Sequence, residues 1–243
     1  MTDAAATLRE AALARQLEAG CAALALALEA RQQKQLLDFL ALLGQWNQVY
    51  NLTAVRDPAG MLTHHVLDSL SALAPLQRQL QAMARQGDGD SGTAAGQRRR
   101  LLDVGSGGGL PGVVFAIGCP DLDVTCVDAV AKKAAFVQQV AATLRLPNLR
   151  GVHARVEKLA GQVPPFDVIS SRAFAALPDF VNGSASVLAE RGVWLAMKGK
   201  PPDDEMAALP PGRAEVFHVE QLRVPGLDAR RCIVWMRPAG AGV

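Results

Sequence analysis

The segment Asp103-Val-Gly-Ser-Gly-Gly-Gly-Leu-Pro-Gly112 holds the residues best placed for chemistry. Gly105 and Gly107 remove side chains where a backbone must approach a ligand closely. A helix starting just after them aims unpaired N–H groups at that ligand. A dinucleotide turn would carry its third glycine at position 110, but that residue is Leu110. Asp128 closes Val-Thr-Cys-Val-Asp, 23 residues after Gly105, where an acid accepts hydrogen bonds from ribose hydroxyls. It supports a ribose-bearing ligand without choosing among them, and a solvated loop acid is the plain alternative. Asp103 either bonds the glycine turn or orients the ligand.

Further candidates stand at the ends of apolar runs. Arg172 lies in Ser170-Ser-Arg-Ala-Phe174, and Lys198 ends Val193-Trp-Leu-Ala-Met-Lys. Strand carboxyl ends line the ligand crevice of open α/β sheets, so Arg172 can reach a carboxylate, a phosphate or a base. Val156-Glu157 follows the third strand; Glu157 is equally an adenine contact or a first-turn acid favoured by the helix dipole. His64 and Asp68, four apart, share one face of an expected helix, with His65 beside them. No third ligand or H-E-x-x-H spacing accompanies them, so no metal is expected. An imidazole-orienting pair or a packing contact is the favoured reading. Arg98-Arg99-Arg100 either touches phosphate or is solvated loop charge.

These residues need a scaffold, and 243 residues at 50% hydrophobic content suffice for one substantial α/β domain with an extension. A net charge of +2 does not announce a nucleic-acid binder, so RNA contact would rest on local patches. The four scattered cysteines form no C-x-x-C pair and fit buried thiols in a reducing cytosol. No signal peptide and no membrane span is expected, which points to a cytoplasmic protein. Residues 1–84 read as a helical extension. Gln32–Tyr50 carries helical spacing, and Asp57-Pro58 caps a helix through about Leu73. Residues 85–100 read as a mobile linker or insertion. Positions 101–243 then alternate as βαβα units, with strands expected at 101–105, 123–128, 149–153, 166–171 and 193–198. Helices are expected near 111–118, 131–145, 155–161 and 177–190. Two final strands, 214–222 and 231–237, make an antiparallel terminal hairpin.

Asp103, the G-x-G turn and Asp128 together resemble the cofactor site of S-adenosylmethionine-dependent methyltransferases. A wider resemblance runs through Trp46-Asn-Gln-Val-Tyr-Asn-Leu-Thr-Ala-Val-Arg-Asp-Pro58, Met61-Leu-Thr-His-His-Val-Leu-Asp-Ser69, the glycine segment, Val127-Asp-Ala, Lys132-Lys133, Arg155-Val-Glu, Ser171-Arg-Ala-Phe174 and Met197-Lys-Gly199. Over positions 36–200 this is similar to the bacterial small-subunit rRNA (guanine-N7) methyltransferase family, once called glucose-inhibited division protein B. The resemblance implies a class I methyltransferase fold, Rossmann-like, with a mostly parallel sheet and S-adenosyl-L-methionine as cofactor. It places Gly105, Gly107, Leu110, Asp128, Val156, Glu157 and Arg172 at the cofactor. His64, His65, Lys132 and Lys198 become candidates for contacting small-subunit rRNA or the small ribosomal subunit. The family usually has Arg-His where this chain has His64-His65, which replaces a fixed charge with a titratable one.

Methyl transfer to guanine N7 uses an in-plane lone pair and needs no general base, in keeping with the lack of any paired-carboxylate or Ser/His/Asp device. Arg172 and Lys198 are then positioning candidates, and a monomer is expected. The rivals are a methyltransferase of the same fold acting on a small molecule or protein, a nicotinamide dehydrogenase, and a noncatalytic RNA-binding assembly factor.

Overall fold

The computed structural model describes residues 2–87 and 98–240. Helices come first: α1 (Thr2–Ala23), α2 (Ala30–Tyr50), α3 (Pro58–Met61), α4 (Asp68–Ser71) and α5 (Leu73–Gly87), with a π-helical turn over Leu62–Leu67. There follow β1 (Arg100–Val104), α6 (Gly112–Gly118), β2 (Asp123–Asp128), α7 (Ala131–Thr143), β3 (Leu149–His153), β4 (Phe166–Arg172), α8 (Leu177–Ser184), β5 (Leu188–Lys198), α9 (Asp203–Ala207), β6 (Ala214–Leu222) and β7 (Arg231–Pro238). The linker expected at 85–100 falls mostly on residues 88–97, outside the described residues.

The strands form one sheet in the order β3-β2-β1-β4-β5-β7-β6. β1 to β5 pair in parallel, while β7 pairs antiparallel with both β5 and β6. This is the mostly parallel sheet with an antiparallel finish that the class I methyltransferase resemblance implies. Alternating strand residues divide the core, as a period of two requires. Leu101, Val168, Leu195 and Ile233 face one side, with Phe115, Phe136 and Val140 of the covering helices. Leu102, Ile169, Trp194 and Val234 face the other, against Leu177 and Phe180.

The N-terminal helices share the first of these cores: Leu36, Phe39 and Leu43 pack in the same cluster as Phe115 and Phe136. The extension is therefore distinct in chain order but continuous with the domain in packing. Asp57 caps α3 as expected, its Oδ1 accepting from the Gly60 N–H at 2.7 Å.

Three helices differ from expectation. The single helix expected from Pro58 to about Leu73 is interrupted by the π turn. The segment at 155–161 forms only a 3-10 turn, Val156–Leu159. The helix expected to reach 190 ends at Ser184, with a 3-10 turn at Ala185–Val187, and β5 already begins at Leu188. Ser184 explains that end: its Oγ donates to the Phe180 carbonyl at 2.6 Å and accepts from Trp194 Nε1 at 2.9 Å, binding the last helical turn to the sheet.

Candidate functional site

The glycine turn leaves β1 at the carboxyl end of the sheet. The Gly105 and Ser106 N–H groups donate to the Val127 carbonyl, at 2.9 and 3.3 Å. Gly105 and Gly107 have φ of 65° and 55°, in the left-handed region where glycine alone is unstrained. A Cβ on Gly107 would meet nothing nearer than the Gly105 carbonyl oxygen at 4.0 Å. A Cβ on Gly105 would lie 2.1 Å from Phe174 Cδ2, so the Phe174 ring covers that glycine. Sequence reasoning passed over Phe174, although an aromatic two residues beyond a strand-end arginine was the available signal.

Asp103 is fully buried. Its Oδ2 accepts from the Gly112 N–H at 3.0 Å and its Oδ1 from Ser170 Oγ at 2.9 Å. Of the two roles open to it, bonding the turn is the one present. Burial pushes its carboxyl up to about 7, against the opposing hydrogen bonds from Ser170 and Gly112. Asp128 accepts from the Gly107 N–H at 3.0 Å and the Val130 N–H at 2.8 Å, with Lys133 Nζ 3.8 Å away. Each carboxylate oxygen retains acceptor capacity toward the adjoining cavity.

Two cavities meet at this turn. One, of about 600 Å³, is lined by Gly105, Gly107, Leu110, His64, His65, Arg172 and Lys198, together with Lys133 and Arg231. The other, of about 380 Å³, is lined by Gly105, Asp128, Val156, Glu157, Ala129 and Phe174. Gly105, Lys133 and Ala173 belong to both, so the cavities adjoin over the glycine turn. The residues expected at cofactor and RNA are thus brought to one place, except Lys132; Asp103 lies beneath the turn, and Arg98, Arg99 and Arg100 line neither cavity. Lys132 lies outside both cavities, with its ammonium 5.7 Å from the Tyr50 ring centre. A larger groove, about 1040 Å³, runs between α1 and α2 and holds none of the nominated residues.

The π turn rearranges the histidines. His64 is exposed while Asp68 is 2% exposed, and the Asp68 carboxylate bonds arginines instead of the His64 ring. The wider turn shifts the side-chain phase that a regular helix would impose, a feature common at functional sites. The His64 carbonyl instead accepts from Arg172 at 3.0 Å. His65 is buried, with Nε2 2.6 Å from Thr53 Oγ1 and Nδ1 without a partner. Burial, and then the charge of Arg172, lowers its pKa to about 4. Its ring is therefore neutral at pH 7 and lines the cavity wall.

Asp68 has other partners. Its Oδ2 accepts from Arg172 at 2.9 Å and its Oδ1 from Arg231 Nε at 2.8 Å. Arg231 was missed because it begins a strand instead of ending one. β7 runs antiparallel, so its first residue lies where the parallel strands finish, and Lys198 pairs with Cys232. Lys198 donates to the Ala175 carbonyl at 3.0 Å and to Glu205 at 2.7 Å, so its charge is largely matched within the fold. Among the described residues no group of His, Cys, Asp and Glu could hold a metal ion, and no helix is long and apolar enough to cross a membrane.

Comparison with known proteins agrees with this geometry. The family model for rRNA small subunit methyltransferase G (GidB) matches residues 32–234. Ribosomal RNA small subunit methyltransferase G of Paracidovorax citrulli (strain AAC00-1) is 67% identical over 227 residues, covering 93% of this chain and 90% of that protein. The protein of the same name from Acidovorax ebreus (strain TPSY) is 65% identical, covering 91% of this chain and 94% of the relative. That of Methylibium petroleiphilum is 56% identical, covering 94% and 96%. With most of its length matched at this identity, and with Asp128 and Arg172 lining two cavities that adjoin over the glycine turn, the chain belongs to the rRNA small subunit methyltransferase G family.

Proposed function

We propose that this protein transfers the methyl group of S-adenosyl-L-methionine to N7 of a guanine in 16S ribosomal RNA. The observation that carries the reading is the junction of the two cavities over a side-chain-free glycine turn. One cavity has Asp128 and an apolar wall, and the other a rim of cations. The residues fit the cofactor. The open space above Gly107 admits a close backbone approach, and Asp128 retains acceptor capacity for ribose hydroxyls. Val156 and Glu157 would flank the adenine, Leu110 would close the glycine side, and Arg172 would meet the carboxylate of the amino-acid arm. When bound, S-adenosylmethionine supplies an electrophilic sulfonium methyl group.

The chain's own task is to position and desolvate. Guanine N7 carries a lone pair and no proton, so no side chain has to remove one. The aspartates beside the glycine turn and Arg172 are engaged: Asp68 by two arginines, Asp103 by the Gly112 N–H and Ser170, and Asp128 by backbone N–H groups. Holding reactants in line is worth roughly 7–11 kcal/mol. The guanine must leave its stack to enter the cavity, and splayed bases are how proteins read RNA loops. His64, exposed at the cavity mouth, and Lys198 would face the RNA, with Lys132 farther out. The reading is completed by action as a monomer on the small subunit or its RNA in the cytoplasm.

Transfer of tritiated methyl, followed by separation of RNA, protein and metabolite fractions, tests this. Label in small-subunit rRNA is expected. Label confined to protein or metabolites would favour the other substrate classes, and binding of RNA without label would favour an assembly factor.

A further inference from the structure

Asp68 joins two guanidinium groups that enter from different strands, Arg172 from the end of β4 and Arg231 from the start of β7. One carboxylate cannot neutralise two arginines, so the group carries a surplus positive charge. It is not sealed off: the Arg172 and Arg231 side chains are 20% and 25% exposed and both line the 600 Å³ cavity. Glu205, the nearby acid beside Lys198, is already engaged with that lysine and with the Leu177 N–H.

The sheet order separates the anchor points of the two arginines, although both reach Asp68. The glycine turn leaves β1, whose neighbour is β4, whereas β7 lies three strands from β1. At about 4.8 Å per strand, Arg231 is anchored roughly 14 Å from the turn, against roughly 5 Å for Arg172. Two anionic groups must meet in this cavity under the methyltransferase reading, on which the inference rests: the carboxylate of the cofactor's amino-acid arm and the phosphates of the RNA strand. Arg172 is close enough for the first. Arg231 reaches Asp68 from the strand farther from the turn, on the side left for the second.

We propose that Arg231 binds a backbone phosphate of the RNA strand carrying the target guanine, and that Asp68 is the positioning residue that fixes Arg231 and Arg172 relative to each other. The fork of Arg231 is committed to Asp68 through Nε and to the Arg230 carbonyl through one terminal nitrogen. Its remaining N–H groups match the planar two-pronged contact that guanidinium makes with phosphate. By sharing Asp68, the two ligand-facing arginines are held in register, so cofactor and RNA are oriented by one buried carboxylate.

The test uses the full chain and small ribosomal subunits lacking the methyl group, with steady-state kinetics, RNA binding across a salt series and calorimetry with S-adenosylmethionine. Arg231→Gln retains a donor toward Asp68. It is expected to raise KM for subunits about tenfold, the loss of one charge-assisted contact, with kcat and cofactor affinity within about twofold of wild type. The slope of log K against log salt should fall by about 0.7–0.9, one phosphate contact. Arg231→Lys keeps the charge and should keep the slope. Asp68→Asn should weaken both cofactor and RNA. An unchanged KM and slope in Arg231→Gln overturns the assignment, as does a slope lost in Arg231→Lys or a cofactor affinity that falls as far as RNA affinity in Arg231→Gln. Wild-type protein that methylates no small-subunit RNA would overturn the underlying reaction instead, a result separable from these.

Discussion

Arg99 and Arg100, at the amino ends of the parallel strands, sit in a different electrostatic setting from Arg172 and Arg231 at the opposite end of the sheet. Arg99 donates to Asp167 at 2.7 Å and to the Met83 carbonyl at 3.2 Å. The Arg100 N–H donates to the same Asp167 at 2.8 Å, while its guanidinium bonds the Pro164 and Pro165 carbonyls and lies 4.4 Å from the Phe166 ring centre. Arg98 faces Asp121 and Asp123. There each cation has acids or carbonyls of its own, and three adjacent arginines close the bottom of the sheet. At the carboxyl end two arginines share one carboxylate in an open cavity. A conspicuous basic run thus fastens the fold, while isolated arginines drawn from distant parts of the chain carry the charge left over for ligands.

The comparison is broken most severely by substitutions at the ligand end. Arg172→Ala should lower methyl transfer about a hundredfold, the scale of a misplaced reactant, a loss in the folded protein beyond the stability lost by leaving Asp68 with Arg231 alone. Arg172→Lys should recover only part, because an ammonium cannot hold Asp68, the His64 carbonyl and a ligand in one plane. Single-turnover methylation of small-subunit RNA measures both. Gly105→Val should abolish S-adenosylmethionine binding in calorimetry. Its side chain would enter the space of the Phe174 ring, and a positive φ adds roughly 1–2 kcal/mol of strain.

At the amino end the expected signature reverses. Arg99→Ala should cost about 1–3 kcal/mol in denaturant unfolding by leaving Asp167 short of a partner, while the folded fraction methylates RNA at the wild-type rate. A methylation defect exceeding the folding defect would erase the contrast between the two ends.

Two titratable groups sharpen it further. The folded His65 pKa is about 4, below its ordinary 6.5. The unfolded chain therefore binds more protons between those values, and stability is lost as pH falls from 6.5 toward 4. Asp103 runs the other way: raised from 3.8 to about 7, it costs stability as pH rises through that window. The two slopes oppose each other between pH 4 and 6.5. His65→Gln removes one of them, so the variant should gain on wild type by up to about 3 kcal/mol as pH falls across that range. Urea unfolding at several pH values reads this directly, and parallel curves for the two proteins would contradict it. The smallest effect is expected at Lys198→Ala, a few-fold in KM for RNA, because Glu205 already balances that charge.

What could be read from the chain was whatever is local. The glycine turn is contiguous, and each parallel strand is a local stretch of five or more residues, so Gly105, Asp128 and Arg172 could be placed by position alone. Asp68 stood out for its spacing from His64, and of its two readings, an imidazole-orienting pair or a packing contact against the main domain, the contact is the one present. Its true partners lie 104 and 163 residues away. Arg231 needed knowledge that β7 is antiparallel and inserts between β5 and β6, which reverses the end of the strand that meets the cavity. The early start of β5 was hidden because Leu188 pairs with Phe166 beyond a register shift, where no unbroken apolar run announces a strand.

The proposed reaction is methyl transfer to guanine N7 from the carboxyl end of the sheet. The most direct measurement incubates unmethylated small ribosomal subunits with S-adenosylmethionine and wild-type, Arg99→Ala or Arg172→Ala protein. The RNA is then treated with borohydride and aniline, which cut the strand at N7-methylguanosine. One new cut in the 16S RNA is predicted with wild type and with folded Arg99→Ala, and almost none with Arg172→Ala. Methyl incorporation without a cut would place the methyl on another atom. Equal cutting by Arg172→Ala and wild type would contradict the site.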